Sequence, residues 1–523
     1  VHDLVITGGT VVDGTGVAGT RADVAVDGDR VTAVGPGPLR GRRVVDATGL
    51  VVTPGFVDLH SHADFTLPSS PGAVTQLAQG VTTLVGGNCG LSPFPVTDRN
   101  RDSGVFAGHD PAAFGGDWTD ADGYAAMVDA ARPGVNLALQ LGHNRVRSAV
   151  LGDDDRAPTA GELAEMRTHV ARAAAAGAVG FSTGLIYPPG LFAHTDEVVA
   201  LVREAAAHGL LYSTHVRDET DRVIEAVTEA IDTARAAGAR LQVSHLKSMG
   251  PANHGLARAA LDLVTAAHAD GLDVACDVYP YTASSTSLAS RLPAWALDGG
   301  APAVARRLAD PDERARIAAG LHARFGRDID PAGVVLAELG PGPFAGDVGR
   351  SLTEIGAALG VDPAEAMLRI LAGHGDVSIV NHAMAEEDVR AVLSSPLSAV
   401  ASDGWILDER GSGHPHPRSF GTFARVLGRY VRDDGVLTLA EAVRKSTSLP
   451  AARAGLAGRG VLTAGAAADV VVLDPATVTD RSTYAAPWRL ADGVHTVLVN
   501  GDLAVVDGEI TGARNGRVLR KDR

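Results

Sequence analysis

His60-Ser61-His62 closes the apolar run that begins VVTPGFVDL, and side chains two apart on a strand point to the same face, so both imidazoles can reach one ion. Cys89 ends GVTTLVGGNC, His215 ends LLYSTH, His245 ends LQVSH, and Asp403 lies in LSAVASDG. Four imidazoles, a thiol and a carboxylate suit zinc or a similar divalent ion, whose borderline softness favours nitrogen and sulfur donors. Two ions held side by side need a shared anionic ligand to offset their repulsion. A carboxylated lysine is one solution, but the three lysines are Lys247, Lys445 and Lys521, and none precedes the fifth apolar run. Cys89, within Gly86-Gly87-Asn88-Cys89-Gly90, is the candidate for that place, because a thiol beside a dication is deprotonated and the glycines permit close backbone approach. Asp403 has two expected roles, ligand to a second metal and general base toward the attacking water.

Residues this far apart in sequence meet only if the elements that carry them converge. VNLALQLGH, GAVGFSTG and LDVACDVYPY join the five runs above to make eight, each apolar without alternation, and Ala- and Arg-rich helical stretches lie between them. Strands buried on both faces and alternating with helices describe a parallel sheet. Eight of them close a (β/α)8 TIM-like barrel, an α/β fold whose active site gathers at the C-terminal strand ends. His143, Ser182 and Tyr279 also stand at such ends. More than a hundred residues separate the seventh and eighth runs, which predicts an inserted subdomain over 282–396, placed to act as a lid. Period-two alternation with Asp-Gly pairs fills the first fifty residues and returns only in ADVVVLDP and VHTVLVNGDLAVVDGEITG. Residues 1–53 and 457–523 are therefore expected to pair into one small β-sandwich or β-barrel domain beside a barrel spanning 54–456.

Lys and Arg number 46 against 62 Asp and Glu, a net charge of −16, which argues against nucleic-acid and anionic-membrane partners. A small-molecule substrate suits that balance. Two cysteines cannot build a disulfide framework and point to a reducing compartment. No run approaches the roughly 20 apolar residues of a membrane span, and VHDLVITGG has neither region of a secretory signal. The expectation is a cytoplasmic enzyme, with subunit number left open. Cys276, in DVACDVYP, reads as a buried structural residue. Gly180-Phe181-Ser182-Thr183-Gly184 has G-x-S-x-G spacing, but the LIYPPG that follows cannot start the helix a nucleophile elbow requires.

GGTVVDGTG, TPGFVDLHSHAD, GVTTLVGGNCG, FSTGLIYPP, THVRDE, SHLKSMG, DVYPYTASST, SDG, HPHPRSFGTFARVLGRY and AGLAGRGVLTAGAAADVVVLDPATV together resemble the N-acyl-D-amino-acid deacylase (D-aminoacylase) branch of the amidohydrolase superfamily. The resemblance runs along nearly the whole chain and is weakest between 282 and 396. It implies zinc-dependent hydrolysis of the linear amide of an N-acyl-D-amino acid, by attack of metal-bound hydroxide, to a carboxylate and a free D-amino acid. It implies a tight zinc site of Cys89, His215 and His245, and a second, weaker divalent site of His60, His62 and Asp403 with Cys89 able to bridge. Asp403 matches the catalytic base. Lys247, Tyr279, Ser285 and Arg418 match positions that hold the substrate's α-carboxylate and neighbouring oxygens; the plainer alternative for Arg418 is a surface ion pair with Asp408 or Glu409. Asn144 departs from the small residue expected after His143. One rival reading is a cyclic-amide hydrolase of the hydantoinase or dihydroorotase type, disfavoured by the missing lysine. Another is an inactive amidohydrolase-like scaffold, disfavoured because all six ligands are present.

Overall fold

The computed structural model describes residues 1–101, 118–407 and 413–521. The eight apolar runs form parallel strands, each buried over its whole length: β1 (Phe56–Asp58), β2 (Val81–Gly86), β3 (Asn136–Gly142), β4 (Gly180–Gly184), β5 (Leu211–His215), β6 (Leu241–Val243), β7 (Val274–Val278) and β8 (Ser398–Val400). Each pairs in parallel with its predecessor, and the ring closes through a bridge between Ser61 and Gly404, just beyond the ends of β1 and β8. The closing bonds run from Asp403 N–H to the His60 carbonyl (2.7 Å) and from His62 N–H to the Gly404 carbonyl (2.8 Å). Barrel closure and three of the candidate ligands thus involve the same few residues. Asp58 reinforces the seam by accepting from the Ser402 N–H at 2.9 Å and from the Ser402 hydroxyl. Burial pushes its carboxyl up to about 6.

The outer helices follow from ordinary end signals. Ala160–Ala175 opens on a capping box between Thr159 and Glu162, and Val223–Ala237 ends at Gly238, whose φ of 69° suits a left-handed cap. The latter helix buries Val223, Val227, Ala230, Ile231 and Ala234, an i, i+3/i+4 stripe that faces the barrel.

Between β7 and β8 the chain builds a separate unit. Ala283–Ser287, Ser378–His382 and Val334–Glu338 form an antiparallel sheet in that order, with helices Gly300–Ala309, Pro311–His322, Leu352–Leu359 and Pro363–His374. Leu336, Leu352, Met367, Leu371 and Ile379 belong to a core of its own. The helix Glu386–Ser394, although inside 282–396, packs on helix Leu256–Ala269 and on β7 and β8, so the separate unit ends at His382.

Both chain ends contribute to one nine-stranded sheet, joined where Val51–Pro54 pairs antiparallel with Val470–Leu473. Val31 N–H donates to the Ala466 carbonyl at 2.9 Å, which curls the sheet back on itself over a core that includes Leu4, Ile6, Val24, Val470 and Leu498. A single residue, Gly55, separates this sheet from β1, and near the other terminus Val518–Leu519 pairs with Leu137–Ala138 of β3. Among the described residues no helix is long and apolar enough to cross a membrane.

Candidate metal centre

At the C-terminal mouth of the barrel, ligand atoms of His60, His62, Cys89 and Asp403 all lie within 4.8 Å of one another, as do those of Cys89, His215 and His245. All are buried, and Cys89 is common to both groups. Its Sγ is 3.2 Å from His60 Nε2 and 3.5 Å from His245 Nε2. Asp403 Oδ1 is 3.1 Å from His62 Nε2 and 3.5 Å from His60 Nε2. All six ligands expected from the sequence are therefore in one cluster.

Cys89 (φ 54°), His245 (φ 34°) and Asp403 (φ 51°) are three of the seven non-glycine residues with positive φ among the described residues. Such backbone costs about 1–3 kcal/mol per residue and persists only where its surroundings enforce it. Ser182, of the G-x-S-x-G run, does this for the Cys89 turn, accepting the Gly90 N–H at 3.0 Å and donating to the Gly87 carbonyl. A Cβ on Gly87 would stand 2.1 Å from the Gln140 carbonyl oxygen, so only glycine lets the turn seat on β3. Asn144 explains its own size by donating to the carbonyls of Gly184 (3.1 Å) and Tyr187 (3.0 Å), which ties the ends of β3 and β4 together. His143 turns away: it opens helix His143–Val150 and its Nε2 pairs with Glu197 at 2.9 Å, so the third strand end supplies no ligand to the cluster.

Two carboxylates that the sequence did not single out orient the imidazoles. Asp277 Oδ1 accepts the His245 N–H at 2.7 Å and lies 3.1 Å from His60 Nδ1, while Oδ2 accepts from Gln242 Nε2 at 2.8 Å. This turns His60 Nε2 toward Cys89. Glu219 Oε1 is 3.2 Å from His245 Nδ1 and 2.6 Å from Lys247 Nζ, and Oε2 is 3.2 Å from His215 Nε2. Carboxylate–histidine pairs of this kind fix ring orientation and tautomer at metal sites. The only sequence signal for Glu219 is its place four residues after His215, in THVRDE.

The charges are strongly coupled. Burial opposes the Cys89 thiolate, but His60 and His245 outweigh it and hold the thiol well below its usual range. Burial also opposes charge on His62, yet Asp403 and Cys89 lift it to about 9. Asp403, again against burial, is held well below the carboxylate range by Arg418 and His60. The cluster is thus a set of buried anions balanced by imidazole protons, the positive charge that a divalent ion would otherwise bring. Nδ1 of His62 and Nδ1 of His215 have no hydrogen-bond partner among the described residues, and His215 Nε2 faces the Glu219 carboxylate at 3.2 Å. Open imidazole donors around a thiolate fit a zinc-like ion. Cys276 differs: burial and then Asp277 push its thiol up to about 12.

Lys247, Tyr279 and Arg418 meet beside the cluster, with Arg418 Cζ 5.1 Å and Lys247 Nζ 5.6 Å from the centre of the Tyr279 ring. Arg418 is buried and donates to Asp403 Oδ2 at 2.7 Å and to the Ser285 backbone carbonyl at 3.4 Å. Its partner is therefore Asp403 of the cluster; Asp408 and Glu409 lie outside the described residues. Ser285 meets this group through its carbonyl.

Residues 43–505 match the Amidohydrolase family. The chain belongs to that family. N-acyl-D-glutamate deacylase and D-aminoacylase of Alcaligenes xylosoxydans xylosoxydans are 40% and 38% identical to it, over 99% of this chain and 97% and 98% of theirs. The structure of N-acyl-D-glutamate deacylase from Bordetella bronchiseptica, solved with zinc and a phosphonate mimic of the tetrahedral intermediate, superposes with a TM-score of 0.84 at 37% identity over 99% of both chains. The L-hydantoinase of Arthrobacter aurescens, with a TM-score of 0.56 at 19% identity over 99% of this chain and 100% of its own, shares the fold alone.

Metal uptake by this amidohydrolase should carry a proton signature. At pH 8 an ordinary imidazole, with a pKa of about 6.5, has already lost its proton, whereas His62, raised to about 9, still holds one. Zinc titrated into metal-free protein at pH 8 is expected to release protons, and apparent affinity should fall about tenfold for each unit by which the pH is lowered, per proton displaced. Calorimetry in buffers of different ionisation enthalpy measures this, and binding at pH 8 without proton release would rule out the charge balance described above.

Proposed function

We propose that this amidohydrolase uses zinc to hydrolyse the amide of N-acyl-D-amino acids. The observation that carries the reading is Cys89 standing in both ligand groups, in a chain with no lysine on the early barrel strands to serve as the bridge. The D-amino-acid substrate class rests on the deacylase relatives. In this reading Cys89, His215 and His245 hold a tight zinc, and His60, His62 and Asp403 form a second, weaker divalent site that shares Cys89. Zinc bound here lowers the pKa of a coordinated water toward 7 and polarises a carbonyl. The remaining steps fall to the protein. Asp403 takes the water's proton and passes it to the departing nitrogen, and Arg418 on Oδ2 keeps its Oδ1 turned toward His60 and His62. Lys247, Tyr279 and Arg418 hold the substrate's α-carboxylate, with the guanidinium supplying orientation as well as charge. The unit between β7 and β8 covers the mouth and excludes water during the reaction. A cytoplasmic setting suits a thiolate ligand, which oxidation would destroy.

Turnover of N-acetyl-D- against N-acetyl-L-amino acids by zinc-loaded protein tests this. The D series should be hydrolysed and the L series should lag by at least roughly tenfold. Asp403→Asn should retain the tight zinc while kcat falls about 10²–10⁴-fold. Equal rates on both series, or a near-normal rate for Asp403→Asn, overturns the assignment.

Arg291 favours an acidic side chain on the amino acid. It is buried in the turn Ala289–Arg291, its Nε and one terminal nitrogen donate only to Ser290 Oγ (3.2 and 3.1 Å), and among the described residues no carboxylate lies within ion-pair distance of it. Burial, and then the like charge of Arg324, disfavour its cation, while Tyr187 and Glu219 favour it. Tyr187 in turn sets its ring against His215, with centroids 4.9 Å apart. An isolated buried guanidinium is costly, and a substrate carboxylate arriving beside it relieves that cost. N-acetyl-D-glutamate should therefore exceed N-acetyl-D-leucine in kcat/KM by about tenfold or more, and Arg291→Leu should reverse the order. An unchanged ranking in the variant would remove Arg291 from substrate selection.

A further inference from the structure

We infer that His416 is a positioning residue for Arg418 and, through it, for the substrate's α-carboxylate, an inference that rests on the deacylase reading above. His416 is buried, and its two ring nitrogens face backbone groups of different kinds. Nδ1 lies 3.0 Å from the Arg418 N–H, and Nε2 lies 2.9 Å from the Ala283 carbonyl. An N–H requires an acceptor and a carbonyl requires a donor, so only the neutral ring with its proton on Nε2 satisfies both. The first contact has a local cause. Arg418 opens helix Arg418–Arg425, and the first N–H groups of a helix have no acceptor within it. Pro417, as the preceding residue, offers no side-chain cap, and His416 supplies one instead.

The second contact reaches another part of the molecule. Ala283–Ser287 is the edge strand of the sheet inserted between β7 and β8, paired on one side only, with Ser378–His382. The carbonyls of Ala283 and Ser285, two residues apart on this strand, are taken by His416 Nε2 and by the Arg418 guanidinium (3.4 Å). His416 and Arg418 are themselves two residues apart, so the loop leaving β8 docks on the strand with matching repeat. Tyr279, Tyr281 and Tyr484 set their rings edge-on around the imidazole, with centroids 6.2, 5.2 and 5.2 Å away. They leave it little room to rotate. The inserted sheet therefore acts as a template: through His416 it sets where the Arg418 backbone begins its helix, and through Ser285 it steadies the guanidinium above Tyr279 and against Asp403. A shift of that sheet would move the carboxylate clamp with it.

Two conservative variants separate positioning from general support. In His416→Asn the amide oxygen can stand where Nδ1 stood and still accept the Arg418 N–H, but nothing reaches Ala283. In His416→Gln the amide nitrogen can reach Ala283, but no acceptor remains for Arg418. Each loses one contact, so thermal midpoints should fall comparably. Zinc-loaded wild type and both variants are assayed on an N-acetyl-D-amino acid and on its α-carboxamide. His416→Gln should raise KM for the acid about tenfold to a hundredfold and lower kcat on both substrates by a smaller common factor through Asp403, so that kcat/KM falls about tenfold or more further for the acid than for the carboxamide, and His416→Asn should recover most of the loss. Equal losses on acid and carboxamide, or recovery by Gln and not by Asn, overturn the inference. A wild type that does not discriminate acid from carboxamide contradicts the deacylase reading on which the inference stands, and the two failures are thereby told apart.

Discussion

A thiolate held among imidazoles in a buried barrel mouth is the interaction on which the rest of the structure depends. Opposite unit charges 3.2 Å apart, the separation of Cys89 Sγ and His60 Nε2, attract by roughly 5 kcal/mol at an effective dielectric constant of 20. Desolvation opposes charge on every member, so the cluster stands only because its charges are closely matched. The side chain of cysteine is short. A lysine-derived carboxylate could reach the same place from a regular strand, but a thiolate must be carried there by the backbone. The left-handed Cys89, the crowded Gly87 and the brace from Ser182 follow from that requirement.

The same economy links the candidate ligands to the closure of the barrel. His60, His62 and Asp403 lie at the seam where β1 meets β8, and their backbone groups take part in the bonds that close it. Asp277 joins His60 to the His245 backbone across the barrel, and Glu219 joins His215 to His245 and Lys247. Loss of one partner in such a network leaves a buried charge unpaired, at a cost of about 3–5 kcal/mol. The cluster's geometry and the barrel's stability are therefore coupled, which lets a site held by few ligands keep a fixed shape.

What the sequence disclosed, and what it did not, divides along physical lines. Strands buried on both faces read as unbroken apolar runs, so all eight were visible, and their polar last residues stood out as candidate ligands. The pairing of both chain ends was visible because alternation at period two appears nowhere between them. His143 stands at a strand end yet lies outside the cluster, because a strand end says nothing of where the next residue points; it begins a helix and faces Glu197. The helix Glu386–Ser394 fell inside 282–396 because nothing in its amphipathic pattern says which core it joins. Asp277 and His416 carried no signal, and Glu219 only its place four residues after His215, because each acts through another side chain or a backbone group. A buried carboxylate in THVRDE has the same sequence appearance as a solvated one.

Zinc-edge X-ray absorption of the zinc-loaded protein, with Cys89→Ser alongside, addresses the thiolate directly. The expected spectrum has a sulfur scatterer at about 2.3 Å with nitrogen and oxygen donors at about 2.0–2.2 Å, and the sulfur shell should disappear in Cys89→Ser. A wild-type shell of nitrogen and oxygen alone would mean that the metal does not use Cys89, and the thiolate-centred site would have to be abandoned.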